Sequence, residues 1–401
     1  MAEQEQGVPS MLPGLVSASH TMAFREIPAE VERYATAAGL DEVAIFMADL
    51  QDTVLRRMTG FGPDARQGAD EQFPVEGTTA GRTFQYGRPA SHPVAGSTRR
   101  QWWLPLLHGT DRLGVLRVTT GDSSGQSRQD LELLASVVAL LLVGKSATSD
   151  AYARLVRTEA MSVAAEMQWH LLPPRTYADA HVVIGGLLEP AYQVGGDVFD
   201  YALAGNMAHL AVFDSMGHDT SAGVAASLAL AACRNHRRQN TGLVETTVEI
   251  EKALIHEFER IRYVTAVLAD LDLDTGLFTW VNRGHLPPLV IRGNRWSSHL
   301  QCPPAHPMGT DLGLVPVLCR EQLEPGDRVV LYTDGITEAR NPGGVEFGVD
   351  GFVDFLIRHH ADQLPVPETL RRLMRSILEH HNGRLADDAT VLIAEWLGPD
   401  P

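Results

Sequence analysis

The alternation of apolar and polar positions divides the chain near residue 148. Val43-Ala-Ile-Phe-Met47 is an apolar run of strand length, and 102–107 and 113–118 bracket a turn containing Gly109 and Asp111. Residues 131–143 read as a strongly apolar helix. The whole stretch over about 24–147 runs helix, strand, strand, loop, strand, strand, helix. Residues 1–20, polar and punctuated by Gly and Pro, read as a flexible tail. Residues 149–172 contain no Gly or Pro and end at Pro173-Pro174, which predicts one long helix. Tyr152, Leu155, Val163, Met167 and Leu171 lie near heptad spacing along it. That stripe suits a coiled-coil dimer stalk as well as a helix packed on its neighbour.

Beyond the helix the period shortens. Residues 264–272, a turn at Asp274-Thr-Gly276, 277–282 and 288–292 predict an antiparallel meander, with two more strands at 328–333 and 390–396. Helices are expected over about 220–233, 243–260, 350–360 and 367–382. Runs of strands interrupted by helices predict an α+β sandwich rather than a doubly wound sheet.

Composition narrows the class. Hydrophobic residues make up 44% of the 401 positions, far above what disorder allows. The 33 Lys and Arg against 50 Asp and Glu leave a formal charge of −17, and most of the excess lies after residue 150. Such a surface repels phosphate backbones, so nucleic acid is excluded as a partner. Three cysteines, Cys233, Cys302 and Cys319, are too few and too scattered for a disulfide framework or a zinc site. The longest apolar run, 133–144, falls well short of the roughly 20 residues a membrane span requires. The N-terminus lacks the basic start of a signal peptide. A cytoplasmic chain without membrane contact is the expectation. Gly144-Lys-Ser146 ends like a phosphate-binding loop, but Ala139 fills the first glycine position, and no Gly-x-Ser-x-Gly occurs.

The chemistry lies in the carboxylates. Gly205-Asn206 is a two-residue hairpin signal with glycine first, suited to a type II′ turn. A register centred there sets Asp197 opposite Asp214, where Cβ atoms lie roughly 4.5–5.5 Å apart. Two unit charges about 4 Å apart repel by about 4 kcal/mol at an effective dielectric of 20. A divalent cation between them resolves the conflict most simply. Asp334 ends the 328–333 strand before Gly335, which permits a sharp exit. Asp387-Asp388 immediately precedes the 390–396 strand. If those strands are antiparallel neighbours, four strand-end acids surround one site, and all-oxygen ligation suits Mg²⁺ or Mn²⁺.

Gly195-Gly-Asp197 with Asp200, Asp214-Ser-Met-Gly-His218, Asn282-Arg-Gly-His285, Tyr332-Thr-Asp-Gly-Ile-Thr-Glu-Ala339 and Asp387-Asp-Ala-Thr390 occur in this order. Together they resemble the SpoIIE-like branch of the bacterial metal-dependent (PPM-type, type 2C) serine/threonine phosphatases. Gln168-Trp-His-Leu-Leu-Pro173 and Val264-Thr-Ala266 extend the resemblance, which covers about 166–396. It implies an α-β-β-α sandwich with two Mn²⁺ or Mg²⁺ ions between the sheets. Asp214 would bridge the ions, the Ser215 backbone carbonyl would contact one, and Asp197, Asp334 and Asp387 would complete the ligands, with Asp388 the alternate to Asp387. His218 would protonate the leaving oxygen or hydrogen-bond its loop. Asp200 would stand behind the ligands or be structural, and His285 would organise its loop. The implied substrate is a phosphoserine or phosphothreonine on an anti-anti-sigma (STAS) protein. Asp219 and Arg283 depart from the family, which usually has glycine and a small residue there.

The first part resembles a GAF sensory domain through Gly77-Thr-Thr-Ala-Gly81 with Phe84, Leu104-Pro-Leu-Leu107 and Leu113-Gly-Val-Leu116. No cysteine precedes Cys233, which excludes a thioether-linked bilin or a cysteine-held iron–sulfur cluster there. The expected layout is a tail at 1–20, a GAF-like sensory or dimerisation domain at 21–148, a linker helix at 149–175 and a phosphatase domain at 176–401. Homodimerisation would use the GAF-like domain and the linker helix. The alternative function is a non-catalytic partner-switching module that binds a regulator without turnover. The complete acid set favours the enzyme. His359-His360 and His380-His381 are expected at solvated helix ends.

Overall fold

The computed structural model describes residues 7–60, 71–121, 128–189 and 192–399, the last with gaps at 194, 218, 294–295, 363, 383–384 and 386. The chain forms two compact units, divided between Ala160 and Met161.

The N-terminal unit is built on a six-stranded antiparallel sheet. Its strand order is Gln72–Pro74, Val54–Arg57, Glu42–Ala48, Asp111–Thr120, Arg100–His108 and Ala90–Pro93. Alternation in the Glu42–Ala48 strand sends Ile45 and Met47 to one face, under the helices Val8–Ser19, Ile27–Ala37 and Arg128–Ser146. Ala44 and Phe46 go to the other, beneath the Thr79–Tyr86 helix. Among the described residues no single helix is long and apolar enough to cross a membrane.

Two expectations are corrected here. The N-terminal tail is not loose from Val8 onward, because Val8, Met11 and Leu15 are spaced as one helical face and are buried. The single helix expected over 149–172 is broken. Asp150–Val156 ends at an extended Arg157, and a second helix, Val163–Leu171, begins after Ser162. Tertiary hydrogen bonds take the carbonyls that would have continued the first helix. Arg56 donates to the carbonyls of Leu155 and Arg157, and the Leu50 N–H donates to that of Val156. The Ser162 hydroxyl then accepts the Ala165 N–H and caps a new start.

The C-terminal unit is a sandwich of two antiparallel sheets. One runs Cys319–Gln322, Leu277–Arg283, Val264–Asp272, Met207–Ser215 and Asp197–Ala204. The other runs Trp296–His299, Leu289–Arg292, Arg328–Tyr332, Ala389–Trp396, Val182–Glu189 and Thr176–Ala178. Phe199, Val212, Val267, Trp280, Leu331 and Leu392 fill the layer between them. Helices Thr220–Arg237 and Leu243–Phe258 cover the first sheet, and Gly348–Ala361 and Val366–His380 the second. The Val182–Glu189 strand escapes the sequence pattern because Gly185-Gly186 interrupts it. Both glycines are close-approach positions: a Cβ at Gly186 would lie 2.3 Å from the Phe199 ring.

The cysteines also need correction. Cys302 and Cys319 are joined in a disulfide, Cα–Cα 5.8 Å, because the fold brings together residues 17 apart in sequence. His360 is not solvated either. It is buried beside Arg328, and burial pushes its pKa down to about 4.

Candidate metal centre

The hairpin that carries the first two acids has the register expected of its turn. Gly205 adopts φ +60°, as the first central residue of a type II′ turn requires. Ala204 pairs with Met207, and the ladder runs on to Asp197 opposite Asp214. Phe199, Tyr201, Leu210 and Val212 share the acids' side of the ladder and enter the layer between the sheets. Val198, Ala211 and Phe213 face the helices instead. Asp200 lies on that helix-facing side, buried, with Arg234 and Arg237 at 2.7 and 2.8 Å. It therefore ties the sheet to the Thr220–Arg237 helix.

The opposite sheet supplies the other acids. Tyr332 pairs with Val391, so Asp334 and Asp387-Asp388 emerge side by side from antiparallel neighbours, as expected. Gly335 is needed for contact rather than for a positive φ: a Cβ there would lie 1.9 Å from the Asp388 carbonyl oxygen. The Thr333 hydroxyl donates across the sandwich to Asp197 Oδ2 at 2.6 Å and accepts the Thr390 N–H at 2.9 Å. Sequence reasoning gave Thr333 no role, although it stands inside the Tyr332-Thr-Asp-Gly motif.

The two neighbouring aspartates have different surroundings. Asp388 is buried, and its carboxylate accepts the backbone N–H groups of Gly195 at 2.9 Å and Gly196 at 2.6 Å. It holds the turn that presents Asp197. Asp387 is exposed and accepts the Asp388 N–H at 2.9 Å. Gln168, fully buried, donates to the Gly195 carbonyl at 3.1 Å from the other side of that turn. Gly196 has no room for a side chain, because a Cβ would lie 2.6 Å from the carbonyl oxygens of Ser215 and Gly217. Ser215 itself is buried, its hydroxyl donating to the Ala222 carbonyl at 2.8 Å.

Crowding of like charges shows in the proton affinities. Burial, then the charges of Asp334, Asp387 and Asp388, raise Asp214 to about 7. Burial, then Asp214 and Asp388, hold Asp197 well above the usual carboxylate range. Asp334 is raised by burial and by Asp387, and Asp388 chiefly by burial. A hard divalent cation, which favours all-oxygen ligands, suits this donor set. Among the described residues no three acidic, His or Cys side chains already form an ion cage, so ligation would need side-chain adjustment on this backbone frame.

Around the acids, Thr265, the ladder partner of Asp214, meets His285 Nδ1 at 2.8 Å. His285 Nε2 meets the Tyr332 carbonyl at 3.0 Å, and burial lowers its pKa to about 4. The ring is neutral, with Nε2–H donating to the carbonyl and Nδ1 accepting from Thr265. The Asn282 side chain closes the turn by bonding the His285 N–H and carbonyl. Both departures from the family have local reasons. Asp219 caps the Thr220–Arg237 helix through the Ala222 N–H and pairs with Arg262 at 2.9 Å. Arg283, fully buried, bonds Thr247, Glu251 and the His306 carbonyl. His218 falls outside the described residues.

Residues 204–397 match the family model described as Stage II sporulation protein E (SpoIIE). Phosphoserine phosphatase RsbU of Bacillus subtilis is 23% identical over 239 residues, covering 58% of this chain and 69% of RsbU. Protein IcfG of Synechocystis sp. is 21% identical over 248 residues, covering 53% of this chain but 37% of IcfG. The SiaA PP2C domain of Pseudomonas aeruginosa, 22% identical, superposes with a TM-score of 0.50 and covers 57% of this chain and 93% of that domain. At that identity the likeness speaks for the fold. The C-terminal half of this chain thus carries a domain matched by the SpoIIE family model, with the fold of a PP2C phosphatase domain.

Proposed function

We propose that this chain hydrolyses phosphoserine or phosphothreonine on a signalling protein, with a phosphorylated anti-anti-sigma protein of the STAS type as substrate. The N-terminal unit acts in this reading as a GAF-like regulator and dimerisation module in the cytoplasm. The observation that carries the reading is the direct pairing of Asp197 with Asp214 beside Asp334 and Asp387.

Asp197, Asp214, Asp334 and Asp387, with the Ser215 carbonyl, would hold two Mn²⁺ or Mg²⁺ ions. Such ions supply a hydroxide nucleophile at neutral pH and neutralise charge on the phosphoryl oxygens. The rest falls to the protein. Thr333 fixes the Asp197 carboxylate, Asp388 and Gln168 hold the turn beneath it, and neutral His285 ties Thr265, the ladder partner of Asp214, to the Tyr332 carbonyl. His218 is proposed to protonate the leaving seryl oxygen. The low-dielectric layer between the sheets strengthens each of these interactions.

The test is hydrolysis of a phosphoserine protein and of an aryl phosphate by the full chain, with Mn²⁺ added and then chelated. Turnover is expected with Mn²⁺ and lost on chelation. Asp214→Asn should lose activity by roughly 100-fold or more, the scale seen when one preorganised electrostatic group is removed. Binding of the phosphoprotein without turnover at any metal concentration would favour the non-catalytic partner-switching module.

A further inference from the structure

We propose that Cys302 and Cys319 form a reversible thiol–disulfide site, oxidised by low-molecular-weight disulfides, that staples the two sheets of the phosphatase sandwich at one edge. The placement of the cysteines carries this. Cys302 follows Trp296–His299, the edge strand of one sheet, and Cys319 opens Cys319–Gln322, the edge strand of the other. Their bond therefore closes one side of the sandwich, where Leu300 and Trp280 pack.

The loop between them reaches the acidic cluster. The Ala305 N–H donates to the Asn282 carbonyl at 3.0 Å, and Met308 exchanges two hydrogen bonds with Val264, next to Thr265. Its later part is anchored through Asp311 to Arg260 and Glu251 and through the Leu314 N–H to His306, but presents apolar side chains to solvent. Leu312, Leu314 and Val315 are 68%, 56% and 80% exposed. The staple thus closes a loop whose apolar tip is exposed, and a cross-link there removes conformational freedom from the open form.

The chemistry closes on itself. Cys319 is the less buried partner. Its thiolate attacks oxidised glutathione and expels one glutathione thiolate, leaving a mixed disulfide. The Cys302 thiolate then attacks the protein-side sulfur and expels the second. Two protein thiols are oxidised, two glutathione thiols form, and the two protons pass from one pair to the other. Cys233 stays out, buried in the helix layer and free. In a reducing compartment a bond of this kind is transient and regulatory.

The test uses the full chain equilibrated with oxidised or reduced glutathione, then denatured and alkylated. One alkylated cysteine is expected under oxidising conditions and three under reducing conditions, with a Cys302–Cys319 cross-linked peptide in the first. Native-state cleavage within 303–318 should run roughly threefold or more faster when reduced. The C302S/C319S double variant should be cleaved at the reduced rate in both buffers. Three free thiols under oxidised glutathione would overturn the proposal. So would a bond that reduced glutathione cannot reopen, or equal cleavage in both states. These readouts are independent of catalysis, so they stand or fall apart from the phosphatase assignment.

Discussion

At the scale of single residues, the adjacent pair Asp387-Asp388 shows how environment separates identical side chains. Asp388 accepts backbone N–H groups from the Gly195–Asp197 turn, whereas Asp387 is exposed beside Asp334. An asparagine at 388 would point an amide N–H₂ at groups that are themselves donors. Asp388→Asn should therefore lower the stability of the metal-free chain by about 2 kcal/mol, the scale of hydrogen bonds to a charged acceptor. Asp387→Asn removes a charge that repels Asp214 and Asp334, so it should not lower that stability but should weaken Mn²⁺ binding by about tenfold or more. Thermal melting and Mn²⁺ titration of both variants check this. If Asp387→Asn binds Mn²⁺ as the parent does, the ligand assignment passes to Asp388. Arg283 teaches a related lesson: a large cation replaces a small residue without disturbing the acids because Glu251 and the His306 carbonyl receive it.

At the scale of elements, the segment 149–172 was legible as helical but not as two helices. Its composition lacks a breaker, and the break is made by distant partners, Arg56 and Leu50, which take its carbonyls. Ser162 is the one local signal, since its hydroxyl caps the Val163–Leu171 helix. Ser162→Ala should destabilise that helix by about 1 kcal/mol. Faster amide exchange over 163–171 and around the Gly195 turn, which Gln168 holds, is the expected reading. Unchanged exchange would mean that packing rather than the cap sets this helix. The Asp197–Ser215 hairpin was the opposite case: a glycine in the turn and strict alternation fixed its pairing to the residue.

At the scale of the whole molecule, the acidic cluster makes stability depend on pH. Asp214 is raised to about 7 in the fold, against a usual carboxylate value near 4. The folded state then binds more protons than the unfolded one across that window, so stability falls as pH rises through it. Asp197, Asp334 and Asp388 are shifted in the same direction. With chelator present, the melting temperature should drop by several degrees between about pH 5 and pH 7.5, since about 1 kcal/mol moves it about 2–4 °C at this size. Mn²⁺ should recover the loss, most strongly at the higher pH, because binding displaces protons. A melting temperature that is flat with pH and indifferent to Mn²⁺ would contradict the cluster's proposed role.

The sequence by itself determined the strand meander, the flanking helices and the four acids at matching strand ends, because period-2 and helical alternation and turn chemistry are local properties. It also determined that Asp197 meets Asp214, since a two-residue turn sets the register of its hairpin. Tertiary structure alone decided that Asp388 holds the Gly195-Gly196 turn while Asp387 is exposed, that Asp200 turns to Arg234 and Arg237, that Thr333 reaches across to Asp197, and that Cys302 meets Cys319. Each of these depends on groups far apart in the chain, brought together only when the two sheets close on one hydrophobic layer.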